Sequence, residues 1–173
     1  MMRKAAAVLS LLALAACETG GPTEIGPSGP RYLPPPPPPP PPPAATILGH
    51  GAYRTKAGGR GDCAGLSVLL MRDTPSYHRR MVALYGSDVS ARLAIATVKA
   101  RSAKLGPVED NPMAASVQCD GGGDFAFRDV SPGAYFIIAR VHYTPLQGAA
   151  QDVVIMRHLQ LSVGETRNVS LAP

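Results

Sequence analysis

The sequence predicts a mainly β protein, a seven-strand-type β-sandwich with one short inserted helix, preceded by a signal peptide and a disordered proline-rich tether. Two observations predict the sandwich. Apolar residues such as Phe125 and Phe127 alternate with polar or small neighbours, which is typical of strands that bury one face. Turn-forming residues, such as the Ser-Pro-Gly at 131–133, separate these short segments.

The N-terminal segment has the pattern of a signal peptide. Arg3 and Lys4 precede a run of small and apolar residues from 5 to 16. Those twelve residues would form a helix about 18 Å long, which is too short to cross a bilayer. We therefore predict a cleaved signal peptide over 1–16.

The segment Leu14-Ala15-Ala16-Cys17, which closes this run, resembles the lipobox of bacterial lipoproteins. The resemblance implies cleavage before Cys17, a diacylglycerol on its thiol and usually an acyl chain, such as palmitate, on the new amine. It also implies a cell-envelope protein held on a lipid bilayer, with Glu18 favouring the outer membrane and its periplasmic side. Ordinary cleavage that leaves an incidental thiol at Cys17 is the alternative.

Residues 17–45 are predicted to be a tether. Gly, Pro and Thr dominate its first half, which has too little apolar surface to order itself. The ten consecutive prolines at 34–43 would form a polyproline II rod about 31 Å long. A ligand for an SH3-type or WW-type groove is the alternative, but those partners are mostly cytoplasmic and eukaryotic. We expect the tether to hold one β-sandwich domain, 46–173, away from the membrane.

Charge and cysteine content narrow the class of protein. Without Arg3 and Lys4 the mature chain would carry 15 basic and 12 acidic residues, and it has no basic cluster with interleaved aromatic residues. We therefore predict no nucleic-acid partner. Cys63 and Cys119 are predicted to form a disulfide in an oxidising compartment, with two free buried thiols as the alternative.

One helix is predicted between residues 74 and 86. Thr74 is a suitable N-cap, Pro75 fits the first helical position, and Gly86 suits a left-handed C-terminal cap. An apolar stripe with helical spacing is predicted to pack in the core: Tyr77, Met81, Leu84 and Tyr85. The basic side chains between them are expected to face solvent: His78, Arg79 and Arg80.

The strands are predicted from alternating segments rich in β-formers. The clearest is 134–142, which has apolar residues on both faces and is therefore predicted to be a central strand. Further strands are predicted around Phe125 and Phe127 and in four other segments: 52–56, 67–71, 159–163 and 168–171. The segment 91–100 fits either a strand or a helix.

Three patterns in the domain resemble the carboxypeptidase regulatory-like domains of the transthyretin-like (prealbumin-like) β-sandwiches. The most specific is Gly-x-Phe-x-Phe-x-x-Val-x-x-Gly-x-Tyr-x-Ile-x-Ala, from Gly123 to Ala139. The others are the segment from Leu161 to Leu171 and Cys63-Ala-Gly-x-x-Val-x-Leu. Members of that group are usually non-catalytic accessory or adhesive modules. The resemblance therefore implies a non-enzymatic module that meets an envelope protein or the cell wall.

No catalytic residue, metal site or cofactor is predicted. The four histidines lack metal-ligand spacing of the His-x-x-x-His type: His50, His78, His142 and His158. Asp120-Gly-Gly-Gly-Asp124 could offer oxygens to a calcium ion, but a glycine-rich hairpin loop is the simpler interpretation.

The alternative function is a small periplasmic hydrolase or a carbohydrate-binding protein. It requires a pocket in which His142, His158 and a carboxylate such as Asp152 converge within hydrogen-bonding reach. A non-catalytic module would instead bind through loops, and we expect its surface at the 142–153 hairpin and the 74–90 insertion.

Overall fold

The computed structural model describes residues 35–108 and 111–172. The predicted signal peptide, Cys17 and the first half of the predicted tether lie outside the described residues. The chain divides into two compact units, Met1–Pro39 and Pro40–Pro173. In the first unit the described prolines are exposed and form no helix or strand. The second unit holds every element described below.

The described part of the second unit contains ten strands and two helices. Their bounds are β1 Ala45–His50, β2 Tyr53–Arg54, β3 Arg60–Asp62, β4 Ser67–Arg72, α1 Pro75–Tyr85, β5 Ser90–Ala94, α2 Ile95–Leu105, β6 Met113–Gln118, β7 Asp124–Val130, β8 Gly133–Thr144, β9 Gln151–Leu161 and β10 Thr166–Ser170. None of the helices among these residues is both long and apolar enough to cross a membrane.

The strands form a small sheet and a large sheet. In the small sheet β1 lies between β10, which runs parallel to it, and β7, which runs antiparallel. In the large sheet β8 is central and pairs with β9 along its whole length. The other edge of β8 pairs first with β4 and then with β3. The large sheet is completed by β6 beside β4, β2 beside β3 and β5 beside β9.

Alternation along β8 separates two layers of core. Tyr135, Ile137, Ala139 and Val141 face the small sheet and are buried in the main core with residues such as Phe127. Phe136 and Ile138 point to the opposite face, where they pack with side chains from both helices. The predicted mainly β sandwich is therefore confirmed, and so is the prediction of a central strand at 134–142.

Helix α1 begins and ends at the predicted residues. The Thr74 side chain accepts a hydrogen bond from the Tyr77 amide, and Gly86 adopts a left-handed φ of 76°. The predicted apolar stripe is buried in the layer between α1 and the large sheet. The basic residues were predicted to face solvent, and Arg79 does so, whereas His78 and Arg80 are only partly exposed. His78 lies against Asp73 and Phe136, and Arg80 donates to the Gly106 carbonyl.

The segment 91–100, for which the sequence permits either a strand or a helix, contains the end of a strand and the start of a helix. Strand β5 ends at Ala94 and helix α2 begins at the next residue. Ala91, Leu93, Ile95 and Val98 all pack on the second core layer, so one apolar surface continues through the change. The described part of the domain therefore has two helices where one was predicted.

The predicted pairing of Cys63 with Cys119 is confirmed. Their Cα atoms are 5.8 Å apart and their sulfurs are bonded. Both cysteines are buried in the main core. The disulfide joins the segment between β3 and β4 to the end of β6, so it stabilises one end of the large sheet.

Candidate functional site

The outer face of the small sheet carries a groove, which we call the small-sheet groove. Neighbouring strands align two rows of outward side chains across this face. The two rows are Asn168, Leu48 and Ala126, and Ser170, His50 and Asp124. Because side chains in a strand alternate between faces, the residues between them, such as Ile47, point into the core.

The small-sheet groove has a volume of about 760 Å³, within the range of small-molecule sites. Gln118 and Asp120 extend its lining beyond the edge of the sheet. Leu48 and Ala126 form an apolar strip between the polar side chains. The groove therefore offers both apolar contact and hydrogen-bonding groups to one ligand.

The polar groups of the groove are partly free to bind a ligand. His50 Nδ1 lies 2.6 Å from Asp124 Oδ1, and this exposed pair contributes little to stability. The second carboxylate oxygen of Asp124 remains open. In the described part of the chain the side-chain amides of Gln118 and Asn168 make no hydrogen bond, and Asn168 is exposed. These groups together supply donors and acceptors side by side.

Asp120 has a structural role in the loop beside the groove. Its Oδ1 accepts hydrogen bonds from the amides of Gly122 and Asp124, at 2.9 and 2.8 Å. The interpretation of 120–124 as a glycine-rich loop is supported, but the loop is not a hairpin. It carries the chain from β6 in the large sheet to β7 in the small sheet.

A second polar cluster lies on β8 and β9, away from the groove. His142 Nδ1 is 2.5 Å from Asp152 Oδ1, and Arg140 Nη2 is 2.8 Å from Asp152 Oδ2. The hydrogen bond from Arg140, and next that from His142, lower the pKa of Asp152. Of the convergence that the alternative function requires, the structure shows the meeting of His142 with Asp152.

His158 does not join that cluster, so the convergence of the two histidines that the alternative function requires does not occur. His142 pairs with Asp152 across the sheet, whereas His158 pairs with Phe136. His142 and the partner of His158, Phe136, are six positions apart on β8, a distance of about 20 Å along a strand. His158 Nε2 instead lies 2.8 Å from Asp73 Oδ2. The hydrolase alternative thus lacks the pocket that it requires.

A third cluster, which the sequence analysis did not predict, lies at the base of the 142–153 hairpin. The guanidinium of Arg92 lies 4.0 Å from the centre of the Tyr143 ring and 6.0 Å from that of Tyr53. Hydrogen bonding to Thr55, and then to Arg92, lowers the pKa of Tyr143, whereas burial raises the pKa of Tyr53. The three side chains come from separate strands, β5, β8 and β2, so no local pattern in the sequence brings them together.

The fold and the groove define this unit as a β-sandwich that is covered by helices on one face and carries an open groove on the other. The crystal structure of a proposed carbohydrate-binding protein from Pseudomonas aeruginosa is similar to it, with a TM-score of 0.56. The match covers 76% of this chain and 90% of that one at 19% sequence identity, which shows a common fold alone. No protein-family model matches the chain, and no curated protein sequence does.

Proposed function

We propose that this chain is a lipid-anchored bacterial envelope protein whose β-sandwich binds cell-wall glycan through the small-sheet groove, without catalysing a reaction. One observation carries the proposal: the groove places the side-chain amide of Asn168 and the open carboxylate oxygen of Asp124 beside the apolar strip of Leu48 and Ala126. The same fold occurs in a protein for which carbohydrate binding has been proposed, which makes this ligand class the first to test.

Glycans suit the groove for a chemical reason. A sugar ring carries hydroxyl groups around its edge and C–H groups on its faces. Planar side chains such as the Asn168 amide and the Asp124 carboxylate can each bond two neighbouring hydroxyls, because each presents two polar atoms. Leu48 and Ala126 can contact the C–H face between them. Among the described residues that line the groove there is no Tyr or Trp and Phe125 is buried, so we expect modest affinity for a single sugar and tighter binding to a polymer.

The predicted anchor and tether account for how the domain would reach such a polymer. Cell-wall glycan lies at a distance from the bilayer, and a rod of ten prolines adds about 31 Å of reach. Because the anchor keeps the domain close to its ligand, the effective concentration of the ligand is high, and this adds to the affinity of the single site. The resemblance to carboxypeptidase regulatory-like modules supports a binding role of this kind.

Removing the polar groups of the groove is expected to weaken glycan binding. Counting one hydrogen bond of about 1–1.5 kcal/mol for each side chain, the double variant Asp124→Ala/Asn168→Ala should bind purified peptidoglycan sacculi about 100-fold more weakly than the natural chain. Co-sedimentation of the full chain with sacculi at rising concentration gives the apparent Kd. Thermal unfolding should change little, because both side chains are exposed.

Asp152→Ala is the matched control, because Asp152 also holds a histidine on a strand but lies on the other sheet. We expect its apparent Kd to stay within about twofold of the natural value. Equal loss of binding in both variants would contradict the assignment of the groove. If the natural chain does not sediment with sacculi but captures an envelope protein, the ligand class is wrong.

Replacing the predicted lipidation site is expected to release the protein from membranes. Each buried methylene contributes about 0.8 kcal/mol, so two or three acyl chains hold a protein firmly. The variant Cys17→Ala, made in a bacterium that processes lipoproteins, should move from the detergent-soluble membrane fraction to the aqueous fraction. Mass spectrometry of the natural protein should find the diacylglycerol on Cys17.

A chain shortened from ten to four prolines serves as the control for the anchor. It keeps Cys17, so it should stay on the membrane, although it loses about 19 Å of reach. Its contact with the cell wall in intact cells should fall, whereas purified shortened protein should bind sacculi normally. An unmodified Cys17 in the natural protein, or membrane retention of Cys17→Ala, would disprove the anchor.

A further inference from the structure

Two histidines and an aspartate meet at the N-terminal end of α1. Asp73 lies in the turn between β4 and α1, His78 is on α1, and His158 is on β9, 85 residues from Asp73. The Nδ1 atom of His78 is 3.1 Å from both carboxylate oxygens of Asp73. His158 Nε2 approaches the same carboxylate from the other side, at 2.8 Å from Oδ2.

We propose that Asp73, His78 and His158 bind a divalent first-row transition metal ion of the Zn²⁺ class. One ligand atom from each residue can be chosen so that all three lie within 4.8 Å of one another. In a tetrahedral zinc site with bonds near 2.0–2.1 Å, ligand atoms are about 3.3 Å apart. The two histidine–aspartate distances, 3.1 and 2.8 Å, therefore need to lengthen by only a few tenths of an ångström, and the imidazole nitrogens of the set already lie within 4.8 Å of each other.

The donor set is one that these metals prefer. Two imidazole nitrogens with one carboxylate oxygen bind zinc and iron in many open sites, in which water or a substrate fills the remaining positions. The exposed fractions of the side chains are 12% for Asp73, 28% for His158 and 38% for His78. An ion can thus enter from solvent and keep at least one position open to it.

The surrounding structure holds the three ligands in place. The Asp73 amide donates to the Ala134 carbonyl, and the His158 amide donates to the Val89 carbonyl. The ring of Phe136 packs against both imidazoles, with centroid distances of 4.8 Å to His158 and 5.7 Å to His78. Because backbone contacts and a buried aromatic ring restrain the ligands, binding requires little reorganisation.

The other histidine–aspartate pairs of the domain differ from this cluster in one respect. His50 and His142 each contact one aspartate and no second imidazole. Within residues 35–108 and 111–172, these three residues, the Asp73 cluster, are the single group of three His, Cys, Asp or Glu side chains close enough to share an ion. Sequence spacing could not indicate it, because the ligands come from a turn, a helix and a distant strand.

Zinc titration of the full chain tests the site. Protein without a polyhistidine tag is stripped with a chelator, dialysed and titrated with ZnCl₂ in a calorimeter. We expect one Zn²⁺ per chain and a rise in Tm when zinc is added. His158→Gln and Asp73→Asn should each weaken zinc binding at least about tenfold and abolish the rise in Tm. His142→Gln, the matched control, should bind zinc as the natural chain does.

A second measurement uses only the natural chain, so it does not depend on how the variants fold. Imidazole nitrogen signals in NMR spectra should shift for His78 and His158 when Zn²⁺ is added, while those of His142 stay in place. The proposal is overturned if the natural chain binds no stoichiometric zinc, if His142→Gln loses as much affinity as His158→Gln, or if the shifts occur at His142 instead. Because the readout is metal binding, failure here leaves the glycan-binding proposal unaffected.

Discussion

Loss of the Cys63–Cys119 disulfide is expected to lower the free energy of unfolding by about 4 kcal/mol. The bond closes a loop across a sequence separation of 56 residues, and without it the unfolded chain gains the entropy of that loop. The sulfurs are also buried, so they contribute packing to the main core. Urea denaturation of the double variant Cys63→Ala/Cys119→Ala, compared with the natural protein, measures the change.

Reduced natural protein is the control for this prediction. It lacks the same cross-link but keeps both sulfur atoms, so its loss of stability should agree with that of the double variant to within about 1 kcal/mol. A loss below about 1 kcal/mol in both proteins would show that the bond adds little to the fold.

Truncation of Phe136 is expected to destabilise the domain by about 3–5 kcal/mol. Its side chain has no exposed surface and lies between the large sheet and α1. The ring contacts Tyr77 and both histidines of the Asp73 cluster. Phe136→Ala would leave a cavity under α1 that the sheet cannot fill. Chemical denaturation gives the loss, and hydrogen exchange should locate the largest loss of protection in α1.

Val82→Ala provides the comparison on the same helix. Val82 is 40% exposed on the solvent side of α1, so this change should alter stability by no more than about 0.5 kcal/mol. If Phe136→Ala has an effect as small as that of Val82→Ala, α1 does not depend on the second core layer.

Some elements could be predicted because their signals are local. The bounds of α1 follow from Thr74, Pro75 and Gly86, each of which acts within one turn of the helix. The central position of β8 follows from apolar residues on both of its faces. In each case the physical cause lies within a dozen residues of sequence, where propensity and periodicity apply.

Other elements depend on distant partners and were missed or left open. Strand β1 follows directly after the prolines and was not predicted, because its six residues become a strand through pairing with β7 and β10. Strand β6 likewise pairs with β4 across the helical insertion. In 91–100 local propensity permits both structures, and packing on the second core layer decides where each begins.

The candidate sites were the least predictable part. Alternation can assign His50 or Asn168 to a face of a strand, but it cannot say which strand lies beside it. The small-sheet groove combines residues from the first and last strands. The Asp73 cluster combines a residue before α1, one on α1 and one on β9. His142 and His158 lie on adjacent strands, yet the register sets them about 20 Å apart.

The sequence by itself determined the mainly β class, α1 and the cysteine pair, and it predicts the lipid anchor on Cys17 and the proline tether. Each of these depends on composition, on short-range periodicity or on caps within a few residues. Only the tertiary structure decided which aspartate each histidine meets and which side chains line the groove. Those outcomes depend on strand order and register, and the packing of the whole core, rather than any local segment, selects both.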